Sequence, residues 1–294
     1  MGFIDNNNLK IGGHISFSKE VLSTVLEADG YNMKSFQFFM GNPKSFTRQR
    51  IKEKDIVKTY DYAEKNKINI FSHFPYTSSL VGSVASLAWS GDEVQDEKTT
   101  KILKELEYEL DVISKLTPHN NSVVIHPGSY KNLQDGLDTV AKSINKINFS
   151  EGSKLLLENS AGEGTKLPKN FEELEIIFDG IDIKKRNSVG VCVDTAHIWG
   201  SGIYDLSKRD GIDNMFHDFD KYIGIEKFNL LHLNDSKVLL GSKKDRHECL
   251  GYGNIWKDDS TSLKYLLTLC GEKNIPVILE TPNVHNDLNN INIF

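Results

Sequence analysis

Six short apolar runs along this 294-residue chain end on a histidine or a carboxylate. The clearest is VGVCVDTAHIW from Val189 to Trp199, where Asp194 closes the run and His197 follows three residues later. Val189, Val191, Cys192 and Val193 fit a strand covered on both faces, as parallel strands are. An ionised carboxylate at the edge of such a core is costly unless it is paired, binds metal or caps the helix that follows. The other runs close on His73, His126, Glu158 and Glu280, with His232 just before the end of one more. A lone histidine at a strand end is more often structural than a ligand. Six ligand-type residues at equivalent strand ends instead describe a metal site built of imidazole and carboxylate, the usual nitrogen and oxygen ligands of zinc. Beyond the runs, Asp245-Arg246-His247 lies in a polar loop. In an extended segment its first and third residues face one way and Arg246 the other. Nine ligands result: His73, His126, Glu158, Asp194, His197, His232, Asp245, His247 and Glu280. One zinc takes about four, so two ions are the minimum and three are expected.

The elements that must position these residues are eight β-rich runs, at 11–16, 35–40, 68–73, 122–126, 154–158, 189–194, 228–234 and 275–280. Between them, apolar residues recur at three and four over 19–28, 52–65, 99–116, 133–147, 171–178, 214–222 and 262–269, the period of amphipathic helices. This alternation predicts an α/β fold, a (β/α)8 TIM barrel spanning 1–294 as a single domain. Only 14 residues follow Glu280, so the eighth outer helix is expected to be short or missing. In this fold active sites occupy the C-terminal rim of the barrel, where the strand-end ligands fall.

Composition narrows the setting. The formal charge of −6 argues against a nucleic-acid partner for the bare chain, but three divalent ions would cancel it, so charge does not exclude DNA. Three cysteines form no C-x-x-C pair and cannot all be bridged, which points to a reducing intracellular location. Cys192 reads as a small buried hydrophobe. No apolar stretch is long enough to span a membrane, and MGFIDNNNLK has no signal-peptide core, so a soluble, unanchored protein is expected.

The segments GVCVDTAH (Gly190 to His197) and LHLNDSKVLLGSKKDRH (Leu231 to His247) resemble two signature motifs of the endonuclease IV family of apurinic/apyrimidinic endonucleases. HPGS from His126, LLLENSAGEG from Leu155 and ILETP from Ile278 match as well, and the likeness runs from about Ile11 to Pro282. The resemblance implies three zinc ions. His73 and His126 would hold the first, with Glu158 bridging to the second; Asp194, His232 and Glu280 would complete the second; His197, Asp245 and His247 would hold the third. It also implies DNA base excision repair: hydrolysis of the phosphodiester 5′ to an abasic site in duplex DNA, leaving a 3′-hydroxyl and a 5′-deoxyribose phosphate, together with 3′-repair diesterase activity on blocked ends. Glu158 and Glu280 would be the catalytic carboxylates, in a monomer, and no side-chain nucleophile is needed. Tyr76, Lys44, His14 and Arg246 are the expected DNA contacts. Here the sequence departs from the family: Thr77 replaces an apolar wedge after Tyr76, and Lys44 stands where relatives tend to carry Arg, whose planar fork it lacks.

A sugar isomerase or epimerase on the same barrel would hold one or two metals and have no use for His197, Asp245 and His247 together. A catalytically idle DNA-binding barrel would be expected to have lost a ligand, and a nuclease for ultraviolet photoproducts would share fold and metals while matching the two signature segments less closely. His119, His217 and His285 are expected at the surface.

Overall fold

The computed structural model describes residues 3–6, 8–17, 20–81 and 97–293. Eight parallel strands close into a barrel: β1 (Ile11–His14), β2 (Ser35–Phe38), β3 (Asn69–His73), β4 (Asn121–Ile125), β5 (Leu155–Glu158), β6 (Val189–Asp194), β7 (Phe228–Leu233) and β8 (Val277–Leu279). Each pairs with its neighbour in sequence, and β1 pairs with β8. The outer helices are α1 (Val21–Gly30), α2 (Glu53–Asn66), α3 (Glu97–Ser114), α4 (Leu133–Ile144), α5 (Phe171–Asp179), then a short α6 (Thr195–Ser201) on the rim, α7 (Arg209–Tyr222), α8 (Thr261–Glu272) and α9 (Val284–Ile293). The eighth outer helix is present and, at 10 residues, as long as α1. The helix expected to start at Lys19 begins at Val21; Lys19 itself lies outside the described residues. Among the described residues no helix is long and apolar enough to cross a membrane.

Strand alternation accounts for the position of the site. Phe71, Val124, Leu156, Cys192, Leu230 and Ile278 form a dry layer inside the barrel, each fully buried. Side chains two residues apart on a strand point the same way. Two residues beyond these six come His73, His126, Glu158, Asp194, His232 and Glu280, one layer higher on an apolar floor. The same layer receives His14 from β1 and Gln37 from β2. Two ladders stop one residue before the ligand. His126 precedes Pro127, which has no N–H to donate, and the Glu280 N–H is taken by Asn234 Oδ1 at 3.0 Å instead of a ladder carbonyl.

Two rim loops are fixed from within. After β2, the Arg48 guanidinium turns inward and donates to the backbone carbonyls of Asn42, Ser45 and Phe46. It sits 3.6 Å from Glu109 of α3, with both side chains fully buried. After β7, Asp235–Ser236 pairs antiparallel with His247–Glu248. The buried Asp235 carboxylate accepts N–H groups from Ser236, Gly251, Gly253 and Ile255 at 2.7 to 3.1 Å. A Cβ on Gly253 would lie 2.4 Å from Asp235 Oδ1, so this turn requires glycine.

Candidate metal centre

All nine residues singled out by their strand-end and loop positions meet around one pocket of about 410 Å3 or directly beneath it. Glu158 is central: Oε2 lies 3.1 Å from His73 Nε2 and 3.4 Å from His126 Nδ1, while Oε1 lies 3.3 Å from His232 Nδ1 and 3.4 Å from His197 Nδ1. Glu280 Oε2 approaches His232 Nδ1 at 3.3 Å. Asp245 grips two rings from the loop, with Oδ2 at 3.1 Å from His197 Nε2 and Oδ1 at 3.1 Å from His247 Nε2. Arg246 between them turns outward, 64% exposed, as the extended-segment reading expects.

Three groups have donor atoms close enough together to hold an ion: His73, His126 and Glu158; Glu158, Asp194, His232 and Glu280; and Asp194, His197 and His247. Glu158 belongs to two groups, and it is the residue that the family resemblance implies as a bridging carboxylate. Asp194 also belongs to two, which the sequence did not show. Asp194 also caps the helix that follows: Oδ1 accepts from His197 N at 2.8 Å and Oδ2 accepts from Asn234 Nδ2 at 2.7 Å.

One nitrogen of each of two rings is tied to a neutral oxygen. His73 Nδ1 donates to the Phe74 carbonyl at 2.7 Å and His197 Nδ1 to the Asn159 carbonyl at 2.8 Å. In a neutral ring this leaves Nε2 with its lone pair aimed at Glu158 or Asp245, acceptor against acceptor. His247 Nε2 lies 3.1 Å from Asp245 Oδ1 and is buried, yet makes no aligned hydrogen bond. Among the described residues no Lys or Arg forms an ion pair with Glu158, Asp194, Asp245 or Glu280; their charged partners are histidines. This donor set of imidazole nitrogens and carboxylate oxygens fits divalent metal. Without an ion, the charge is balanced by protons. Burial opposes protonation of His197, but Asp194, Asp245 and Glu158 raise its pKa to about 10, and Asp245 contributes to raising His247 to about 9. Burial lowers His126 to about 4. A metal ion held there would displace protons from the rim.

The other expected residues are more spread out. Tyr76 stands at the mouth, 61% exposed, its ring 5.2 Å from Phe39 and 5.7 Å from His73. Thr77 and Lys44 are exposed on neighbouring loops. His14 lies in the pocket wall, 3.1 Å from Gln37 and 3.7 Å from Glu280. His217 and His285 are exposed and His119 is half-buried; Cys192 lies in the dry layer. Sequence reasoning missed Gln37, Asn159 and Asn234, which orient the ligands. For the two asparagines a signal existed: each follows a strand-end ligand by one or two residues.

Residues 25–292 match a family model described as a xylose isomerase-like TIM barrel. A probable endonuclease 4 of Clostridium botulinum is 35% identical over 283 residues, covering 94% of this chain and 93% of that protein. The crystal structure of endonuclease IV from Thermus thermophilus superposes with a TM-score of 0.78 at 26% identity, covering 96% of this chain and 97% of that one. A D-tagatose 3-epimerase-like protein shares the fold at a TM-score of 0.64 and 17% identity.

Proposed function

The chain belongs to the endonuclease IV family of xylose isomerase-like TIM barrels, and from that premise we propose that it is a zinc-dependent hydrolase of DNA repair that cuts duplex DNA 5′ to abasic sites. The products would be a 3′-hydroxyl and a 5′-deoxyribose phosphate, with the same site removing blocking groups from 3′ ends. The observation that carries this reading is the facing of acceptor atoms on a rim whose carboxylates, among the described residues, have no lysine or arginine partner. In the proposal three zincs occupy it: one on His73, His126 and Glu158, one on Glu158, Asp194, His232 and Glu280, and one on His197, Asp245 and His247.

Zinc supplies a nucleophilic water at neutral pH and neutralises charge on the phosphate and the departing oxygen. The protein's share is positional. Glu158 and Glu280, the two catalytic carboxylates of the proposal, stand on the apolar floor at the ends of β5 and β8, and that floor excludes bulk water beneath the reacting phosphate. Tyr76 offers an exposed ring at the mouth for stacking at the lesion, and Lys44 and Arg246 offer cations to flanking phosphates. His14 acts from the pocket wall. Residues 1–294 are read as one barrel domain working as a monomer inside the cell.

The test is a labelled duplex with one tetrahydrofuran abasic analogue, which cannot undergo β-elimination. The expected result is a single incision 5′ to the analogue, abolished by prolonged chelation and restored by zinc. An intact strand in the presence of zinc-loaded protein would refute the proposal and direct attention to sugar or photoproduct substrates.

A further inference from the structure

Gln37 is the one member of the ligand-bearing layer, apart from His14, that the metal assignment leaves without a task. It is fully buried on β2 and its amide touches three residues of the layer. Its Nε2 lies 2.7 Å from Glu280 Oε1 and 3.1 Å from His14 Nδ1, and its Oε1 lies 2.9 Å from His232 Nε2.

These contacts fix one another in order. A carboxylate oxygen accepts only, so the amide edge facing Glu280 must be the NH2 group. The carbonyl edge then faces His232, whose Nε2 must carry the proton. His14 Nδ1, facing the NH2 group, must accept. With its proton held at Nε2, His232 turns the lone pair of Nδ1 toward Glu158 Oε1 and Glu280 Oε2, both at 3.3 Å. The amide also occupies Glu280 Oε1, leaving Oε2 as the free oxygen on that side. One neutral side chain thereby sets the ring nitrogen and the carboxylate oxygen offered to the same ion.

We propose that Gln37 is a positioning residue for the ion held by Glu158, Asp194, His232 and Glu280, acting by fixing the His232 tautomer and the Glu280 rotamer. The inference rests on the metal reading above. A hydrogen-bonded partner of this kind typically contributes about 10-fold to 100-fold in metal affinity. Methionine at position 37 matches the length and removes all three hydrogen bonds. Glutamate keeps an acceptor for His232 Nε2–H but sets a second carboxylate against Glu280.

The experiment uses full-length protein labelled with 15N-histidine, with and without added zinc, and compares wild type, Gln37→Met and Gln37→Glu. The readouts are the protonated nitrogen of His232, by long-range 15N–1H correlation, and the zinc retained against a chelator series. Wild type should show His232 protonated at Nε2 with that proton protected from exchange. Gln37→Met should lose the protection and release one zinc about 10-fold to 100-fold more readily while the others stay. Gln37→Glu should keep the Nε2–H signal and still loosen the same zinc, which separates the two roles and serves if the methionine variant does not fold. Protonation of wild-type His232 at Nδ1 alone, or variants that hold every zinc as tightly as wild type, would overturn the proposal. A wild type that binds no zinc would instead refute the metal reading; the His232 signal then decides what Gln37 does on its own.

Discussion

Two of the regions in which the molecule buries carboxylates balance them differently. Beneath the loop after β2, Glu109 faces Arg48 at 3.6 Å, with both side chains sealed from solvent. Burial pushes the Glu109 carboxyl up to about 7, with Arg48 pulling the other way. The balancing charge comes from within the chain, although no hydrogen bond joins the two side chains, and the same guanidinium ties three loop carbonyls together. On the barrel rim, Glu158, Asp194, Asp245 and Glu280 have histidines as their charged partners, several of which already give a proton to a carbonyl or amide oxygen. Among the described residues, no Lys or Arg forms an ion pair with these four carboxylates. The difference teaches that a buried carboxylate is informative by what it lacks: the pair beneath the loop is architecture, whereas the rim is arranged for a cation that arrives from outside.

The sharpest way to break this comparison is to neutralise one carboxylate in each region. Glu158→Gln removes the charge shared by two of the ion-holding groups. The incision rate on the tetrahydrofuran duplex should fall about 10³-fold or more, equivalent to the several kcal/mol of charge stabilisation that a lost metal withdraws. A variant cutting within about tenfold of wild type would mean that the rim carboxylates are structural.

At the pair beneath the loop, Arg48→Met strands Glu109 and should cost about 3–5 kcal/mol in urea denaturation. The double change Arg48→Met with Glu109→Leu should recover more than half of that loss, because a buried ion pair and its apolar replacement are close in energy. If the double variant is no more stable than the single one, the loop contacts of Arg48 matter more than its charge, and the two regions differ less than described.

A buried carboxylate outside both clusters sharpens the contrast. Asp235 is satisfied by four backbone N–H groups and has neither arginine nor histidine as a partner. Asp235→Asn turns an amide N–H toward one of those donors and should cost about 1–3 kcal/mol of stability. It should loosen the loop bearing Asp245 and His247, seen as faster amide exchange at 245–255, and leave the Arg48–Glu109 pair untouched. Unchanged exchange in that loop would show that Asp235 does not hold it.

Much of the rim was legible in the sequence because alternation is a strict rule: once a run is a barrel strand, the residue that closes it on the inward phase must face the pocket. His73, Glu158 and Asp194 stand out since polar residues at the end of an apolar run have few other reasons to be there. Gln37 was not legible, since an amide inside SFQFFM reads as one polar residue in a strand and only the closed barrel shows that β2 contributes to the same layer as β8. Arg48 and Glu109 were hidden for another reason. Each sits in a stretch rich in charge, far apart in the chain, where a solvated face is the ordinary reading; burial comes from the loop folding onto α3. The double membership of Asp194 depends on where β6 delivers its side chain between two clusters, which spacing alone does not fix.

The most direct test of the central claim is the metal content of the full-length protein, purified without chelator, dialysed against dilute zinc and then against metal-free buffer, and measured by plasma mass spectrometry. The account predicts close to three zincs per chain in wild type and in Asp235→Asn at least two. A folded wild type holding less than one ion per chain would contradict it, leaving the rim as a cluster of protonated histidines and carboxylates that balance one another without metal.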